Sequence, residues 1–239
     1  MKNLLCLDFD GVICNSIHEC LLVTYNCYFK IIGDSNNQAE EIAGIPIEIR
    51  ERFYNNRYLV RPAKDYWLLM KLVLEGNSQI EEEYFNNNLV GMDGYLDEFE
   101  KLFFDYRENM IKEKLHLWLS LNPIYNEFLD YYNKNNEREF YIVTNKNRVA
   151  VEVILENNKI KFNSENIFAK ENFTTKESAL KEIAKLNNLE NDQIIFVDDS
   201  PATIKELTPQ FPNSYIANWG YYKNNSELIK SINKFSELY

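Results

Sequence analysis

Several features that would define a class of protein are scarce in this sequence of 239 residues. Glycine and proline number 7 and 6, so a collagen-like repeat and a low-complexity, disordered chain are both excluded. Positive charge is also scarce, because 26 lysines and arginines face 37 aspartates and glutamates, which gives a formal net charge of −11. Since binding to a phosphate backbone depends on positive charge, no nucleic-acid partner is expected.

Long apolar runs and paired cysteines are lacking as well. No apolar stretch reaches the length of a membrane span, and no export signal is recognisable. The four cysteines form no CxxC pair, so neither a zinc site nor a disulfide framework is expected. These absences predict a cytoplasmic protein with reduced thiols and no membrane association. With 45% hydrophobic residues, the chain can bury a sizeable core instead.

Short apolar runs that end in polar residues are what the sequence does contain. Runs of this kind are typical of strands buried on both faces of a parallel sheet. They predict five strands, over residues 4–7, 140–143, 167–169, 194–197 and 214–217. Helical patterns over 123–134 and 176–187 lie between them. The alternation predicts an α/β fold with a mainly parallel sheet covered by helices on both faces.

The segment from about residue 16 to residue 120 has a different character. It is rich in Asn, Glu, Tyr and Phe and contains no comparable strand run. An insertion of this length after the first strand is best explained as a separate, mostly helical domain. The sequence therefore predicts two domains, a core of residues 1–15 and 121–239 and a helical insertion of residues 16–120.

Chemically versatile side chains stand directly after the predicted strands. They are Asp8 and Asp10 after the first strand, Thr144 and Asn145 after the second, and Asp198 and Asp199 after the fourth. A lysine, either Lys170 or Lys176, supplies a cation from the segment between strands. Ligands of open parallel sheets bind at the carboxyl ends of the strands, so we expect these side chains to converge.

The carboxylates in this set indicate a metal ion. They would repel one another unless a cation lay between them, and an oxygen-only cluster without His or Cys suits Mg²⁺. A carboxylate beside such a metal can attack phosphorus, while a second carboxylate donates and then accepts a proton. Phosphoryl transfer requires both roles, together with positive charge around the transferred group.

These motifs, taken in order, resemble those of the haloacid dehalogenase-like hydrolase superfamily. The resemblance rests on Asp8-Phe9-Asp10-Gly11-Val12, Thr144-Asn145, Lys176 and Asp198-Asp199-Ser200. Residues 8–16 and Trp219-Gly220-Tyr221 are similar to the opening and closing signatures of the phosphoglycolate phosphatase and β-phosphoglucomutase branch. The resemblance implies a Rossmann-like, three-layer core, and it implies that residues 16–120 form an α-helical cap of the C1 type.

The resemblance also implies a role for each matched residue. Asp8 would be the nucleophile and Asp10 the general acid and base. Thr144 would donate a hydrogen bond to the transferring phosphoryl group, and Lys176 would neutralise its charge. The residues implied to bind the substrate are Gly11, Thr144, Asn145 and Lys176.

The same resemblance implies a ligand set for Mg²⁺. The ion would be held by the Asp8 carboxylate, the Asp10 main-chain carbonyl and Asp199, with Asp198 assisting. The lysine remains to be chosen between two candidates. Lys176 precedes Asp199 by 23 residues, and Lys170 precedes it by 29. Lys176 is favoured because the shorter spacing is closer to that of the family.

Two positions depart from the pattern of the family. Asn15 stands where Asp is usual, and Thr203 stands where many phosphatases of this kind have another acid. Neither position carries one of the core roles. In the predicted cap, Arg57 and Arg61 could clamp an anionic substrate or could form a solvated helix face.

The resemblance implies a magnesium-dependent phosphohydrolase that acts on a small phosphorylated metabolite through an aspartyl-phosphate on Asp8. A phosphomutase shares the same motifs, and a catalytically silent binding module would keep the same fold. A phosphonatase-like reaction is disfavoured because no cap lysine stands out. The sequence leaves the substrate and the oligomeric state open.

Overall fold

The computed structural model describes residues 3–90, 92–135, 138–222 and 229–238. The chain divides into two compact units, Met1–Asn15 with Pro123–Tyr239, and Ser16–Asn122. We call the first the sheet unit and the second the helical unit. The predicted division after residues 15 and 120 stays a prediction about independent domains, and the second junction lies two residues further along in the structure.

A six-stranded sheet, parallel throughout, forms the centre of the sheet unit. The strands are Leu4–Leu7 (β1), Phe140–Val143 (β2), Ile167–Phe168 (β3), Ile194–Asp198 (β4), Ser214–Ala217 (β5) and Ser231–Ile232 (β6). Their order in the sheet is β3-β2-β1-β4-β5-β6, which is the Rossmann-like order. The predicted fold class is confirmed. Sequence reasoning did not find β6, because two residues are too few to form an apolar run.

Ten α-helices lie in the described part of the chain. Those of the helical unit are Ile17–Ile31 (α1), Ile47–Asn56 (α2), Tyr66–Leu74 (α3), Glu82–Leu89 (α4), Asp93–Glu113 (α5) and Leu115–Ser120 (α6). Those of the sheet unit are Asn126–Lys134 (α7), Arg148–Asn157 (α8), Lys176–Leu186 (α9) and Pro201–Leu207 (α10). None of the described helices is long and apolar enough to cross a membrane.

Both faces of the central strands are buried, which explains why β1, β2 and β4 are unbroken apolar runs. Successive side chains alternate between the two faces. On one face, Cys6 and Phe196 belong to a buried cluster with Leu180 and other apolar residues of α9 and α10. On the other face, Phe140 meets Phe128 of α7, with the ring centroids 5.6 Å apart. The sheet unit is therefore a three-layer structure.

The helical unit has its own core, built around aromatic rings. Phe53, Tyr66 and Phe103 stack in sequence, with ring centroids 5.8 Å and 5.3 Å apart. These rings come from α2, α3 and α5, so one stack ties three helices together. Aromatic pairs of this kind add about 0.5–1.5 kcal/mol each beyond the burial of their area. Among the described residues of this unit, none forms a strand.

A buried ion pair joins α1 to α5 inside the helical unit. Arg107 donates from Nε to Glu19 Oε1 at 2.8 Å and from Nη2 to Glu19 Oε2 at 2.9 Å. The side chains are 3% and 0% exposed, so neither charge reaches water. The guanidinium also lies over the Phe103 ring, 4.8 Å from its centroid. Each charge therefore depends on the other, since an unpaired buried charge is strongly unfavourable.

We expect Glu19→Gln to lower the free energy of unfolding by about 3–5 kcal/mol, because the Arg107 charge would then be buried without compensation. Urea denaturation followed by circular dichroism measures the change. The matched control is Glu108→Gln, which removes the exposed pair between Glu108 and Lys112, 3.7 Å apart on α5. Exposed pairs contribute at most about 1 kcal/mol. Equal effects of the two substitutions would contradict this account of the helical unit.

Candidate active site

The first carboxylate of the site comes from the end of β1. Asp8 follows the strand directly, and its backbone N–H donates to the Val197 carbonyl of β4 at 2.9 Å. The chain then turns tightly, with the Phe9 carbonyl accepting the Ile13 N–H at 2.9 Å. Gly11 lies in this turn at φ +88°, a conformation that favours glycine. The turn therefore fixes the backbone immediately after the candidate nucleophile.

Two further carboxylates come from the end of β4. The strand ends at Asp198, and Asp199 is the next residue. β1 and β4 are neighbours at the point where the strand order reverses, which is where ligands bind in sheets of this type. Asp8, Asp198 and Asp199 are buried, and each has a carboxylate oxygen within 4.8 Å of the other two. This spacing is suited to a single cation held by oxygen ligands.

Lys176 is the cation that meets these carboxylates. It is the first residue of α9, whose start is capped by the Thr175 side chain accepting the Ser178 N–H at 3.2 Å. Its Nζ lies 2.7 Å from Asp198 Oδ2 and 3.0 Å from Asp8 Oδ1. Lys170, the other candidate, lies in a short 3₁₀ segment after β3, a turn before α9 begins.

The charges in this cluster shift the pKa of both partners. Burial raises the pKa of Asp8 to about 7, with Lys176 opposing the shift and the carboxylates of Asp198 and Asp10 adding to it. Burial disfavours the charged form of Lys176, but attraction to Asp198 and Asp8 outweighs burial and raises its pKa. The raised pKa of Asp8 thus comes first from burial, and the raised pKa of Lys176 comes from its two carboxylate neighbours.

Thr144 and Lys146 occupy the turn between β2 and α8. Thr144 continues the ladder, with its N–H donating to the Phe168 carbonyl at 2.9 Å. Its hydroxyl oxygen accepts the Lys146 backbone N–H at 3.1 Å, which fixes the orientation of the Thr144 side chain. Asn145, between them, is half-buried.

Sequence reasoning did not find Lys146. Its Nζ donates to Asp10 Oδ1 at 3.1 Å, and its side chain is 0% exposed against 15% for Asp10. The available signal was its position directly after Thr144-Asn145, at the end of a predicted strand. A lysine in such a turn usually extends into water, so residue type alone gave no reason to choose it.

The charge count of these residues fits a divalent cation. The four carboxylates are those of Asp8, Asp10, Asp198 and Asp199, and the two ammonium groups are those of Lys146 and Lys176. With all six groups ionised, the sum is −2, which one divalent cation would neutralise. The donor set contains oxygen alone, so Mg²⁺ is a suitable ion on chemical grounds.

Asp199 is held by the loop that follows β5. The Tyr221 backbone N–H donates to Asp199 Oδ2 at 3.0 Å. A Cβ added at Gly220 would collide with the Asp199 Cβ and would lie 2.6 Å from the Gly11 carbonyl oxygen. A Cβ at Gly11 would collide with the Asp199 carboxylate itself. The two glycines therefore provide the space in which Asp199 adopts its orientation.

Trp219 ties the same loop to the turn after β1. Its indole N–H donates to the Val12 carbonyl at 3.0 Å, and its ring packs on Phe235 with centroids 5.0 Å apart. The sequence did not indicate this hydrogen bond. The loop therefore contacts both the turn after β1 and Asp199.

The two arginines considered for a clamp have other partners. Arg57 is buried, donates to the Val60 carbonyl at 3.1 Å and lies 5.0 Å above the Tyr66 ring centroid. It therefore belongs to the core of the helical unit and not to a solvated face. Arg61 is exposed and lies 3.9 Å from Glu82.

Comparison with known proteins identifies the family. The family model of the haloacid dehalogenase-like hydrolases matches residues 2–207, and the chain belongs to this family of hydrolases. No curated protein sequence matches the chain significantly.

Solved structures share the fold. A predicted phosphatase from Clostridium acetobutylicum is 17% identical, with a TM-score of 0.60 and coverage of 100% of this chain and 96% of the other. A haloacid dehalogenase-like family protein from Streptococcus pneumoniae is 14% identical (TM-score 0.60, coverage 99% and 96%). A predicted phosphoglycolate phosphatase from Haemophilus somnus is 16% identical (TM-score 0.57, coverage 99% and 96%). At these identities the likeness concerns the fold.

For the Mg²⁺ site that the sequence predicts, we expect Gly220→Ala to weaken binding about tenfold, because the added methyl group would displace Asp199. Overpacking of this kind costs about 1–3 kcal/mol. Titration calorimetry with MgCl₂ in the absence of substrate measures the affinity. Gly94→Ala is the matched control, since a Cβ there meets no atom within 4 Å. An unchanged Mg²⁺ affinity in Gly220→Ala would show that this loop does not orient a metal ligand.

Proposed function

We propose that the protein is a magnesium-dependent phosphohydrolase that acts on a small, cytoplasmic phosphorylated metabolite through an aspartyl-phosphate intermediate on Asp8. The observation that carries the proposal is the contact of Lys176 with both Asp8 and Asp198, beside Asp199 and at the carboxyl ends of β1 and β4. A buried nucleophile, an adjacent cation and a group of metal-binding oxygens are the parts that phosphoryl transfer requires.

In the first half-reaction, an oxygen of Asp8 attacks phosphorus and the bond to the leaving oxygen breaks. Asp10, in its protonated form, gives its proton to that oxygen, so the product leaves as an alcohol. Lys176 lies beside Asp8, where its charge would offset that of the phosphoryl oxygens. The product of this step is an acyl phosphate on Asp8.

In the second half-reaction, water attacks the phosphorus of the acyl phosphate. Asp10, now a carboxylate, takes a proton from that water, and the bond between phosphorus and Asp8 breaks to release inorganic phosphate. Asp8 and Asp10 then return to their starting states. One acid and one nucleophile thus serve both steps, which agrees with their separation by a single residue in the turn after β1.

Three polar groups are suited to hold the phosphoryl group. Thr144 can donate its hydroxyl proton, because its oxygen already accepts the Lys146 N–H at 3.1 Å. Gly11 and Asn145 border the same strand ends, and a glycine lets the backbone approach a ligand closely. We assign these residues to substrate binding together with Lys176.

The metal would be held by the carboxylates of Asp8 and Asp199 and by the Asp10 main-chain carbonyl, with Asp198 assisting. When bound, Mg²⁺ supplies positive charge to the phosphoryl oxygens and neutralises the repulsion among the carboxylates. Asp198 suits an assisting role, because its Oδ2 accepts from Lys176 and its Oδ1 accepts the Ser200 N–H at 2.8 Å. We also assign the sheet unit to the core domain and the helical unit to the cap domain.

We expect Asp8→Asn to reduce phosphate release from phosphorylated metabolites more than about 1,000-fold, because the amide cannot act as the nucleophile. A panel of sugar phosphates, phosphoglycolate and nucleotides, assayed with MgCl₂ and with EDTA, measures the loss and ranks the substrates. The matched control is Asp130→Asn, which changes an exposed aspartate on α7.

Other outcomes of the same experiment would reject the proposal. Full activity of Asp8→Asn would contradict the assignment of Asp8 as nucleophile. Full activity in EDTA would contradict the requirement for Mg²⁺. A phosphomutase would convert a hexose phosphate to its isomer without releasing phosphate, which chromatography of the sugar phosphates detects. Absence of both reactions and of Mg²⁺ binding would favour a silent binding module.

A further inference from the structure

A lysine without a role in the proposed chemistry lies buried beside Asp10. The Lys146 side chain is 0% exposed, and its Nζ lies 3.1 Å from Asp10 Oδ1 and 3.5 Å from Oδ2. A buried ammonium group is costly unless a partner compensates for its lost hydration. Asp10 provides that compensation, although it is itself partly exposed.

The backbone of Lys146 is fixed on both sides. Its N–H donates to the Thr144 hydroxyl oxygen at 3.1 Å, and its carbonyl accepts the Lys170 N–H at 3.3 Å. The turn between β2 and α8 therefore directs this side chain towards β1 rather than into water. Because β1 and β2 are adjacent parallel strands, the ends of both lie at the same edge of the sheet.

The two buried lysines contact different carboxylates in the ion pairs described above. Lys176 contacts Asp8 and Asp198, whereas Lys146 contacts Asp10. The nearer contact of Lys146 is to Oδ1, so the hydrogen bond restricts rotation of the Asp10 carboxyl group as well as its position. A proton donor must lie within hydrogen-bond reach of the atom that it protonates, so this restriction bears directly on catalysis.

We propose that Lys146 is a positioning residue that holds the Asp10 carboxyl group in the orientation needed to protonate the leaving oxygen. The inference rests on the proposed function, since it assigns Lys146 to the proton-transfer step of that reaction. In that step the Asp10 proton passes to the leaving oxygen while the bond from phosphorus to that oxygen breaks. Lys146 keeps its own proton throughout.

The basicity of the leaving group provides the test. An alkyl phosphate releases a strongly basic alkoxide, which needs a proton as it departs, whereas 2,4-dinitrophenyl phosphate releases a weakly basic phenolate that does not. The quantity compared is kcat/KM, which covers the steps up to departure of the leaving group. A defect in Asp10 positioning should therefore appear with the alkyl substrate and be nearly absent with the aryl substrate.

We expect Lys146→Met to lower kcat/KM about 100-fold for the best alkyl phosphate and less than about threefold for 2,4-dinitrophenyl phosphate, as for a misplaced general acid. Asp10→Asn should show the same selectivity, and the double variant should show no further loss, because the two residues act as a unit. Lys181→Met, at an exposed lysine on α9, is the control and should leave both rates unchanged.

Several results would overturn the inference. Equal losses with both substrates would mean that Lys146 acts on the phosphoryl group or on the fold, and additive losses in the double variant would mean that it acts independently of Asp10. Lys146→Gln, which keeps an N–H donor, should recover part of the alkyl rate, and its failure to do so in a folded protein would also count against the inference. If Lys146→Met does not fold, Lys146→Gln provides the same comparison of alkyl and aryl substrates.

Failure of the proposed function can be told apart from failure of this inference. A wild-type protein that hydrolyses neither substrate, or an Asp8→Asn variant as active as the wild type, would overturn the phosphohydrolase proposal and with it the role of Lys146. An active wild type whose Lys146 variants lose both substrates equally would overturn the role of Lys146 alone.

Discussion

Mutual repulsion among buried carboxylates is the constraint on which the rest of the site depends. Asp8, Asp198 and Asp199 have oxygens within 4.8 Å of one another and are all buried. Such an arrangement persists when cations lie between the charges, and Lys176 supplies one of them. The start of α9 is consequently tied to the ends of β1 and β4. The pKa of Asp8 is raised first by burial and further by the neighbouring carboxylates of Asp198 and Asp10.

The ion pair in the helical unit is a buried arrangement in which one negative charge is matched by one positive charge. Glu19 and Arg107 are buried, as the three aspartates are. Here, however, one carboxylate meets one guanidinium through two hydrogen bonds. The two charges of this pair balance each other, and the pair joins α1 to α5. Among the residues described for the cluster around Asp8, carboxylates outnumber ammonium groups, which agrees with the metal and phosphoryl sites that we propose there.

The side chains around this cluster are constrained sterically as well as electrostatically. A Cβ at Gly11 or at Gly220 would collide with Asp199, so both positions need glycine. The Tyr221 N–H donates to one carboxylate oxygen of Asp199 and fixes it. Trp219 holds the same loop against the turn after β1. This fixed orientation agrees with the role of metal ligand that we propose for Asp199, because the oxygen ligands of Mg²⁺ must meet strict geometric requirements.

The sequence by itself determined five strands of the sheet, since strands buried on both faces need unbroken apolar runs, but not the two-residue β6. It also located Asp8, Asp10, Thr144, Asp198 and Asp199 after strand ends. It could not indicate that Lys146 turns inward to Asp10 or that Gly220 makes room for Asp199. It favoured Lys176 over Lys170 only by the spacing to Asp199. These features depend on residues distant in sequence, such as Lys146 and Asp10, being brought together by the order of the strands. Local periodicity records which face of an element is buried, whereas the partner of a buried charge is decided by tertiary structure.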